Sequence, residues 1–522
     1  MHTTTAPGPV EAVAPVRVDG TAPPALLDAF WAYDRALLAN DLEALGALFL
    51  DAEDTLRGDG TTLTVGHRAI TAYRSARGTA PTRQVVAVHV RDLAPGTALV
   101  MAEVRSPTGT PGLQTQVWRR TDDGWRVAAA HVTAPPRTVD HAVWRVVGSP
   151  LLAPSSDGEL TGETVAVKDV LALRGQAVGG GVPALLAERQ PEAKSSPAVD
   201  ALLLAGAAVT GVAQTDQLAY SIAGTNPATG TPPNLEAPGR VPGGSSSGPA
   251  VAVRRGEVSI GLGTDTAGSI RVPAAYQGLW GLRPTQGAVP TDGMLPLAPS
   301  FDTVGLLTRG PGTLLRAARV VLGGDSPSAT PDRPRSYVVV DAITGLADTS
   351  LGLQVEELAE HLRADRAGLP GDLDEWFAAF RTVQAFEAWQ SHGAWIVAHP
   401  GALAPDVAER FGAASRVSAG AASEARETLD VARSLLRDLV ADRILLLPTT
   451  SGPPPALTAS PASVEVDRSR TLRLTSLASL AGLPAVSAPL LHHGRSRAGV
   501  SFVGPPGSDL ALVRAAGAVA AR

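Results

Sequence analysis

The stretch RVPGGSSSGPAVAVRRGEVSIGLGTDTAGSIRVPAAYQGLWGLRPT, residues 240–285, decides how the larger part of this chain is interpreted. Gly243 and Gly244 precede a run of serines, and glycine permits backbone conformations that other residues avoid. Pro249 then stands where a helix can begin, because proline is favoured in a first helical turn. Farther on, Ser269 ends the small-residue loop GTDTAGS, whose successive N–H groups can converge on an oxyanion. The stretch therefore predicts two loops that present serine hydroxyls and backbone N–H groups.

A lysine upstream adds a third element. Lys168 lies in the apolar, β-branched segment TVAVKDV, residues 164–170, which predicts a buried strand. Burial favours the neutral amine, and a neutral amine can act as a general base, whereas a guanidinium stays charged. Arginine supplies nearly all the positive charge of the chain, and the lysines are Lys168 and Lys194 alone. A lysine at position 168 therefore indicates a role that needs a group able to lose its proton.

Each of these three segments has an ordinary structural interpretation when it is taken alone. A single lysine beside a strand is usually a solvated surface group, and a GGSSSG loop is usually a flexible turn. The GTDTAGS loop can be a turn between strands or a phosphate cradle, although it lacks the lysine of a P-loop. In combination, the three segments are far more specific.

Together the segments resemble the amidase signature family. The family pattern is a VKD lysine, a GGSSxG loop, a GTDxGGSIRxPA loop and GLKPT. The resemblance continues through SFDTVG at residues 300–305 and LPAV at residues 483–486, and it covers about residues 150–520. The motif sequences are most similar to those of indole-acetamide hydrolases and allophanate hydrolases. This chain departs from the pattern at Ala267, Pro249 and Arg283, where the family usually has Gly, Ser and Lys.

The resemblance implies a Ser–cis-Ser–Lys triad. Ser269 is then the nucleophile, Ser245 relays the proton from a cis peptide after Gly244, and neutral Lys168 is the base. The implied oxyanion hole consists of the backbone N–H groups of Thr266, Ala267, Gly268 and Ser269. Substrate contacts are expected from Tyr220, Gly244, Ser246 and Asp265. Neither a cofactor nor a metal ion is expected.

The first part of the chain has a different pattern. Residues 1–22 are rich in Pro, Thr and Ala and predict a disordered arm. Residues 24–48 carry apolar residues at helical spacing, and long strands follow a short helix near Ile70. This order resembles the cone-shaped NTF2-like (SnoaL-like) domains. The segment from Gln116 to Val132 is similar to small proteins encoded beside amidases of triazine and oxalurate breakdown.

The cone resemblance implies a pocket and a homodimer formed through the outer face of the sheet. Candidate residues for an anion-binding pocket are Arg57, Arg74, Arg105 and His131. The alternative is that Trp118 and Trp125 belong to the core and the arginines are surface charges.

The predicted fold class is α/β, in which a small α+β cone precedes an amidase-signature core of a mixed sheet covered by helices. The predicted divisions are an arm at 1–22, the cone at 23–135, a linker at 136–150 and the amidase domain at 151–522. Within the last, a helical excursion at about 350–440 is expected to wall a substrate cleft.

Composition narrows the class of function. The chain has 522 residues, 44% of them hydrophobic, and a net charge of −6, which argues against nucleic acid as a partner. It has no cysteine, which excludes disulfides, thiolate metal sites and a cysteine nucleophile. No secretory leader and no long apolar run are recognisable, so we expect a cytoplasmic protein without a membrane partner.

The predicted function is hydrolysis of a linear carboxamide through an acyl-enzyme on Ser269, which releases ammonia or an amine from a small-molecule substrate. Two alternatives stay open. One is a glutamine-hydrolysing amidotransferase subunit, and the other is a non-catalytic scaffold on the amidase fold.

Overall fold

The computed structural model describes residues 16–59, 62–75, 83–105, 111–133, 139–324 and 336–521. The chain divides into two compact units, Met1–Thr138 and Val139–Arg522. Most of the predicted arm, residues 1–15, lies outside the described residues.

The first unit is the predicted α+β domain. Its helices are α1 (Pro24–Ala39), α2 (Leu42–Leu48) and α3 (His67–Ser75). Its strands are β1 (Arg17–Asp19), β2 (Leu56–Asp59), β3 (Thr62–Val65), β4 (Gln84–Ala94), β5 (Thr97–Arg105), β6 (Pro111–Thr121) and β7 (Gly124–Thr133). They form a seven-stranded sheet in the order β1-β4-β5-β6-β7-β2-β3.

The helices pack on this sheet through apolar side chains at helical spacing. Leu26, Phe30 and Tyr33 of α1 are buried, and the Tyr33 ring meets the Trp118 ring edge-on at 6.3 Å between centroids. Trp118 is fully buried and Trp125 is 7% exposed, so both tryptophans belong to the core. The alternative interpretation, in which both tryptophans belong to the core, is therefore correct for these two residues.

The predicted arm is partly wrong. Residues 17–19 form β1, which pairs in parallel with β4, so that Val18 lies opposite Val88. The open edge of β4 offers unpaired backbone groups that a short segment of any composition can satisfy. Composition alone therefore did not reveal this strand.

The second unit contains an eleven-stranded mixed sheet in the order β15-β14-β16-β18-β17-β12-β13-β11-β9-β10-β8. Its strands are β8 (Trp144–Leu152), β9 (Thr164–Lys168), β10 (Ala208–Ala213), β11 (Ile260–Asp265), β12 (Trp280–Arg283), β13 (Thr303–Thr308), β14 (Ser336–Val339), β15 (Asp365–Arg366), β16 (Arg443–Pro448), β17 (Ala485–His493) and β18 (Ser496–Val503). The mixed sheet confirms the predicted α/β class.

Helices cover this sheet. They are α4 (Pro183–Glu188), α5 (Pro197–Leu204), α6 (Ser247–Arg254), α7 (Arg271–Gln277), α8 (Pro311–Val321), α9 (Asp341–Thr344), α10 (Thr349–Leu362), α11 (Leu373–Ala398), α12 (Pro405–Ala414), α13 (Ala419–Leu439), α14 (Pro461–Ala481) and α15 (Asp509–Ala520). A short 3-10 helix spans Gln217–Ala219. The predicted excursion at about 350–440 is α10 to α13, and Pro249 lies in the first turn of α6 as expected.

The predicted linker at 136–150 is also partly wrong. Residues from Trp144 onward form β8, an antiparallel edge strand that pairs with β10. Trp144 is 4% exposed and Val143 is fully buried. An edge strand tolerates proline because one of its sides needs no ladder hydrogen bonds, so Pro150 did not prevent pairing.

The sheet brings the predicted catalytic segments to one edge. Strands β9 and β11 run in parallel, with Val165 opposite Ile260 and Val167 opposite Leu262. Lys168 ends β9 and Asp265 ends β11, so their carboxyl ends open onto the same side of the sheet, where the GTDTAGS loop continues. This topology positions the lysine beside the loop of Ser269.

We expect residues 139–522 to fold without the first unit. The truncated chain should start before Asp140. The Asp140 carboxylate pairs with Arg255 at 2.7 Å, and the backbone carbonyl of Asp140 accepts the N–H of Trp144 at 2.8 Å. A chain that begins at Val139 should be soluble and unfold cooperatively. One that begins after β8 should aggregate, because β10 loses its edge partner. Size-exclusion chromatography and thermal unfolding of both truncations check this, and an insoluble 139–522 chain would contradict the division.

Candidate active site

Lys168 is a fully buried amine held between two hydroxyl groups. Its Nζ lies 2.8 Å from Ser245 Oγ and 2.8 Å from Thr264 Oγ1. Thr264 was missed by sequence reasoning. The sequence feature that could have identified Thr264 is its position near the end of β11, the strand that pairs with the lysine-bearing strand β9.

The surroundings of Lys168 favour its neutral form. Burial lowers its pKa from 10.5 to about 7, although the negative charges of Asp216, Asp265 and Asp302 act in the opposite direction. Since burial outweighs these charges, a large share of the amine is unprotonated near neutral pH. An unprotonated amine has a lone pair that can accept a proton from a neighbouring hydroxyl group.

Ser245 follows a cis peptide bond, Gly244–Ser245, as the resemblance implied. The Ser245 carbonyl accepts the Thr215 hydroxyl at 2.9 Å, and the Gly244 N–H donates to the Ile222 carbonyl at 2.9 Å. A Cβ atom at position 244 would lie 2.6 Å from the Asp216 carboxylate. Glycine at position 244 therefore permits the backbone to lie close to the Asp216 carboxylate.

Ser269 lies in the loop after β11, next to the Ser245 loop. The N–H of Ser246 donates to the Ser269 carbonyl at 3.2 Å, which joins the two loops directly. Ser269 is 4% exposed. The structure thus brings Lys168, Ser245 and the loop of Ser269 into one buried cluster.

Gly268 gives the loop its turn. Its φ is +126°, and a Cβ there would lie 3.0 Å from Thr475 Oγ1. Ala267 does not have a positive φ, so the departure from the family glycine at that position causes no left-handed strain.

One of the four predicted oxyanion donors is engaged elsewhere. The Gly268 N–H donates to the Asp265 carboxylate at 2.8 Å. Within the described residues, the N–H groups of Thr266, Ala267 and Ser269 have no protein partner. The prediction that Gly268 supplies a donor is therefore wrong in this conformation, and three N–H groups remain for an oxyanion.

Asp265 was expected to contact substrate, and the structure assigns it another task. It is fully buried between Arg271, at 2.8 Å, and Arg283, at 3.1 Å. Burial alone would raise the pKa of Asp265, but the guanidinium of Arg271, together with Arg283, holds it well below its usual range. Its carboxylate also accepts the N–H of Ile270 at 3.2 Å, so it shapes the nucleophile loop from behind.

The family lysine of GLKPT is replaced by an arginine with several contacts. Arg283 donates to the backbone carbonyl of Asp265 at 2.5 Å and to that of Phe301 at 2.9 Å. A guanidinium can reach several acceptors at once in a fixed plane, which suits this buried position.

Ser246 and Tyr220 were also expected to contact substrate. Ser246 is fully buried, and its Oγ donates to the Thr264 carbonyl at 3.3 Å, so it braces β11. Tyr220 follows the 3-10 helix and packs edge-on against Phe411 of α12 at 5.0 Å. It is 8% exposed.

The four candidate residues of the first unit are not brought together. Arg57 and Arg74 are buried, and their guanidinium groups stack over Tyr73 at 4.4 Å and Phe49 at 4.5 Å. Arg105 and His131 are exposed. His131 lies opposite Gly58, next to Arg57 in β2, and successive strand residues point to opposite faces. The predicted four-residue pocket is therefore wrong.

Among the described residues, no group of three or more His, Cys, Asp or Glu side chains is arranged to hold a metal ion. In the same part of the chain, every helix is too short or too polar to cross a membrane.

Comparison with known proteins is consistent with this geometry. Residues 151–355 match the family model described as Amidase, and residues 23–136 match the one described as AtzH-like. The chain is 35% identical to "Amidase 1" of Arabidopsis thaliana over 70% of its own length and 94% of the relative. It is 32% identical to "Outer envelope protein 64, chloroplastic" of the same plant, over 69% and 66% of the two chains. A solved structure of an amidase superposes with a TM-score of 0.64 at 26% identity, and it covers 73% of this chain and 92% of that one.

Asp265→Ala should destabilise the second unit. The change leaves Arg271 and Arg283 buried without their carboxylate, and loss of one partner of a buried ion pair costs about 3–5 kcal/mol. Asp374→Ala is the matched control, because Asp374 is 78% exposed in its pair with Arg473 and an exposed pair contributes less than about 1 kcal/mol. Urea unfolding of both full-length variants measures the difference, and equal free energies of unfolding would show that the Asp265 cluster is dispensable.

Proposed function

The chain belongs to the amidase signature family, and we propose that it hydrolyses a linear carboxamide with Ser269 as nucleophile, Ser245 as proton relay and Lys168 as base. The enzyme class, a hydrolase of carbon–nitrogen bonds, follows from family membership. The assignment of roles rests on one observation above all, the buried amine of Lys168 at 2.8 Å from Ser245 Oγ.

The proposed reaction begins with proton transfer toward Lys168. The neutral amine donates one N–H to Thr264 Oγ1 and accepts the Ser245 hydroxyl proton with its lone pair. Ser245 in turn takes the proton of Ser269, whose Oγ attacks the amide carbonyl carbon. The new oxyanion lies against the N–H groups of Thr266, Ala267 and Ser269.

Collapse of this intermediate breaks the carbon–nitrogen bond. The proton held by Lys168 returns through Ser245 to the leaving nitrogen, which departs as ammonia or an amine and leaves the acyl group on Ser269. Water then attacks the acyl-enzyme, with its proton passing along the same relay. The products are a carboxylic acid and the restored Ser269 hydroxyl group.

A non-catalytic scaffold is the main alternative, and the amidotransferase subunit is the other. The buried amine favours catalysis over a scaffold, because burial of an ionisable side chain costs free energy that a scaffold does not need to spend. We further propose a homodimer in the cytoplasm, with the outer sheet face of the first unit as the contact, as cone domains commonly use.

Ser269→Ala should abolish amide hydrolysis without a loss of fold. Removal of the nucleophile eliminates the acyl-enzyme, so we expect a fall in kcat of several orders of magnitude. Active-site labelling with a fluorophosphonate, followed by peptide mass spectrometry, should modify Ser269 in the native chain. A Ser269→Ala enzyme with more than about a tenth of native activity would contradict the nucleophile assignment, and an unlabelled native chain would favour the scaffold.

Lys168→Arg should be nearly as damaging as Lys168→Ala, although arginine is also a long basic side chain. A guanidinium stays protonated and cannot accept the proton of Ser245. In the native enzyme, kcat/KM should rise with pH through about 7, because the base must first lose its own proton. Lys194→Arg is the matched control and should keep native activity. Activity of Lys168→Arg at the native level, or a native profile flat between pH 5 and 9, would exclude Lys168 as the base.

A further inference from the structure

Thr475 of α14 contacts the middle of the nucleophile loop. Its hydroxyl donates to the Ala267 carbonyl at 2.5 Å, and its own backbone carbonyl accepts a hydrogen bond from Arg271 Nη1 at 2.7 Å. Thr475 is 2% exposed. The contact joins the loop to a residue that lies 208 positions later in the chain.

The Thr475 hydroxyl has a second acceptor inside its own helix. The Thr471 carbonyl lies 3.1 Å away, and a threonine within a helix commonly donates to the carbonyl four residues earlier. A hydroxyl has one proton to donate, and the Ala267 carbonyl is the nearer of the two acceptors. The shorter hydrogen bond therefore goes to the loop.

Thr475 also packs against the backbone of Gly268. A Cβ atom at position 268 would lie 3.0 Å from Thr475 Oγ1 and 3.1 Å from its Cβ and Cγ2. The φ of Gly268 is +126°, a conformation that a glycine adopts readily. Because glycine gives the backbone wide conformational freedom, the orientation of the loop at this position has to be set by outside contacts.

The peptide unit between Ala267 and Gly268 is held at both of its polar groups. It is a planar trans unit, so its C=O and N–H point in opposite directions. The carbonyl accepts the Thr475 hydroxyl, and the N–H donates to the Asp265 carboxylate at 2.8 Å. Rotation of this unit would break both hydrogen bonds.

The peptide unit that follows is fixed by α7. The Gly268 carbonyl accepts the N–H of Val272 at 2.7 Å. Because that carbonyl and the Ser269 N–H belong to one trans peptide unit, the bond also fixes the direction of the Ser269 N–H. This oxyanion donor does not depend on Thr475.

The peptide unit that precedes is held less closely. The Thr266 carbonyl lies 3.5 Å from Arg283 Nη1, at the outer limit of a hydrogen bond. The N–H of Ala267 belongs to that unit and has no protein partner within the described part of the chain. Its direction therefore depends on the next unit along the loop, which is the one that Thr475 holds.

We propose that Thr475 is a positioning residue of the oxyanion hole, whose hydroxyl fixes the Ala267–Gly268 peptide and thereby directs the Ala267 N–H at the oxyanion formed on the substrate. The inference rests on the proposed role of Ser269 as nucleophile. Donors that are already oriented stabilise the transition state without reorganisation. A loop whose middle peptide can rotate should therefore lose reaction rate and keep its affinity in the ground state.

Three substitutions at position 475 of the full-length enzyme separate the hydrogen bond from the shape of the side chain. Thr475→Ser keeps the hydroxyl, Thr475→Ala removes it and leaves space, and Thr475→Val replaces it with a methyl group. The readout is the rate of labelling of Ser269 by a fluorophosphonate, whose phosphoryl oxygen takes the oxyanion position. Thr475→Ala and Thr475→Val should each slow labelling by about tenfold or more, whereas Thr475→Ser should stay within about threefold of the native rate.

Thr382→Val is the matched control. Thr382 of α11 donates its hydroxyl to the Ala378 carbonyl of its own helix at 3.0 Å, so this change removes a hydroxyl from a helix without a contact to the nucleophile loop. It should label at the native rate.

Two properties of the labelling reaction distinguish positioning from a general loss of structure. In Thr475→Ala the maximal labelling rate should fall, while the reagent concentration for half the maximal rate should stay within about twofold, because the oxyanion develops after binding. The pH at which labelling accelerates should match that of the native enzyme, because Lys168 keeps its contacts with Ser245 and Thr264. A collapsed site would shift both quantities.

Labelling of Thr475→Ala at the native rate would overturn this inference, and so would a Thr475→Ser enzyme as slow as Thr475→Ala or a shifted pH profile. If Thr475→Val does not fold, Thr475→Ala decides alone, since it introduces no additional atoms. A native chain that the fluorophosphonate does not label at Ser269 would instead overturn the proposed function.

Discussion

The buried carboxylate of Asp265 is the interaction on which the rest of the site depends. It accepts two N–H groups of the nucleophile loop and forms ion pairs with Arg271 at the start of α7 and Arg283 at the end of β12. Arg271 extends the same network to Thr475 of α14. A single side chain thus ties a loop to a strand and two helices, so the position of Ser269 is set by tertiary contacts and not by the loop alone.

The same network affects the base. An isolated carboxylate near Lys168 would favour the charged amine, but the charge of Asp265 is shared with two arginines. Burial also raises the pKa of Asp216 and Asp302, the two other carboxylates that act on Lys168. Desolvation of the amine has a larger effect than these three carboxylates together, and the pKa of Lys168 is about 7. The chemistry needs this balance, since a fully paired lysine would remain protonated.

The sequence was sufficient for features that are encoded locally. Lys168 and the two serine loops carry short motifs, and the helices after β14 show regular apolar spacing. Features set by distant pairing were missed. Strand β8 exists because Trp144 packs beside β10, and β1 exists because β4 has an open edge. Asp265 was taken for a substrate contact because nothing in its own segment reveals its ion pair with the distant Arg283. The Asp265 carboxylate also accepts the Gly268 N–H, which removes that donor from the predicted oxyanion hole.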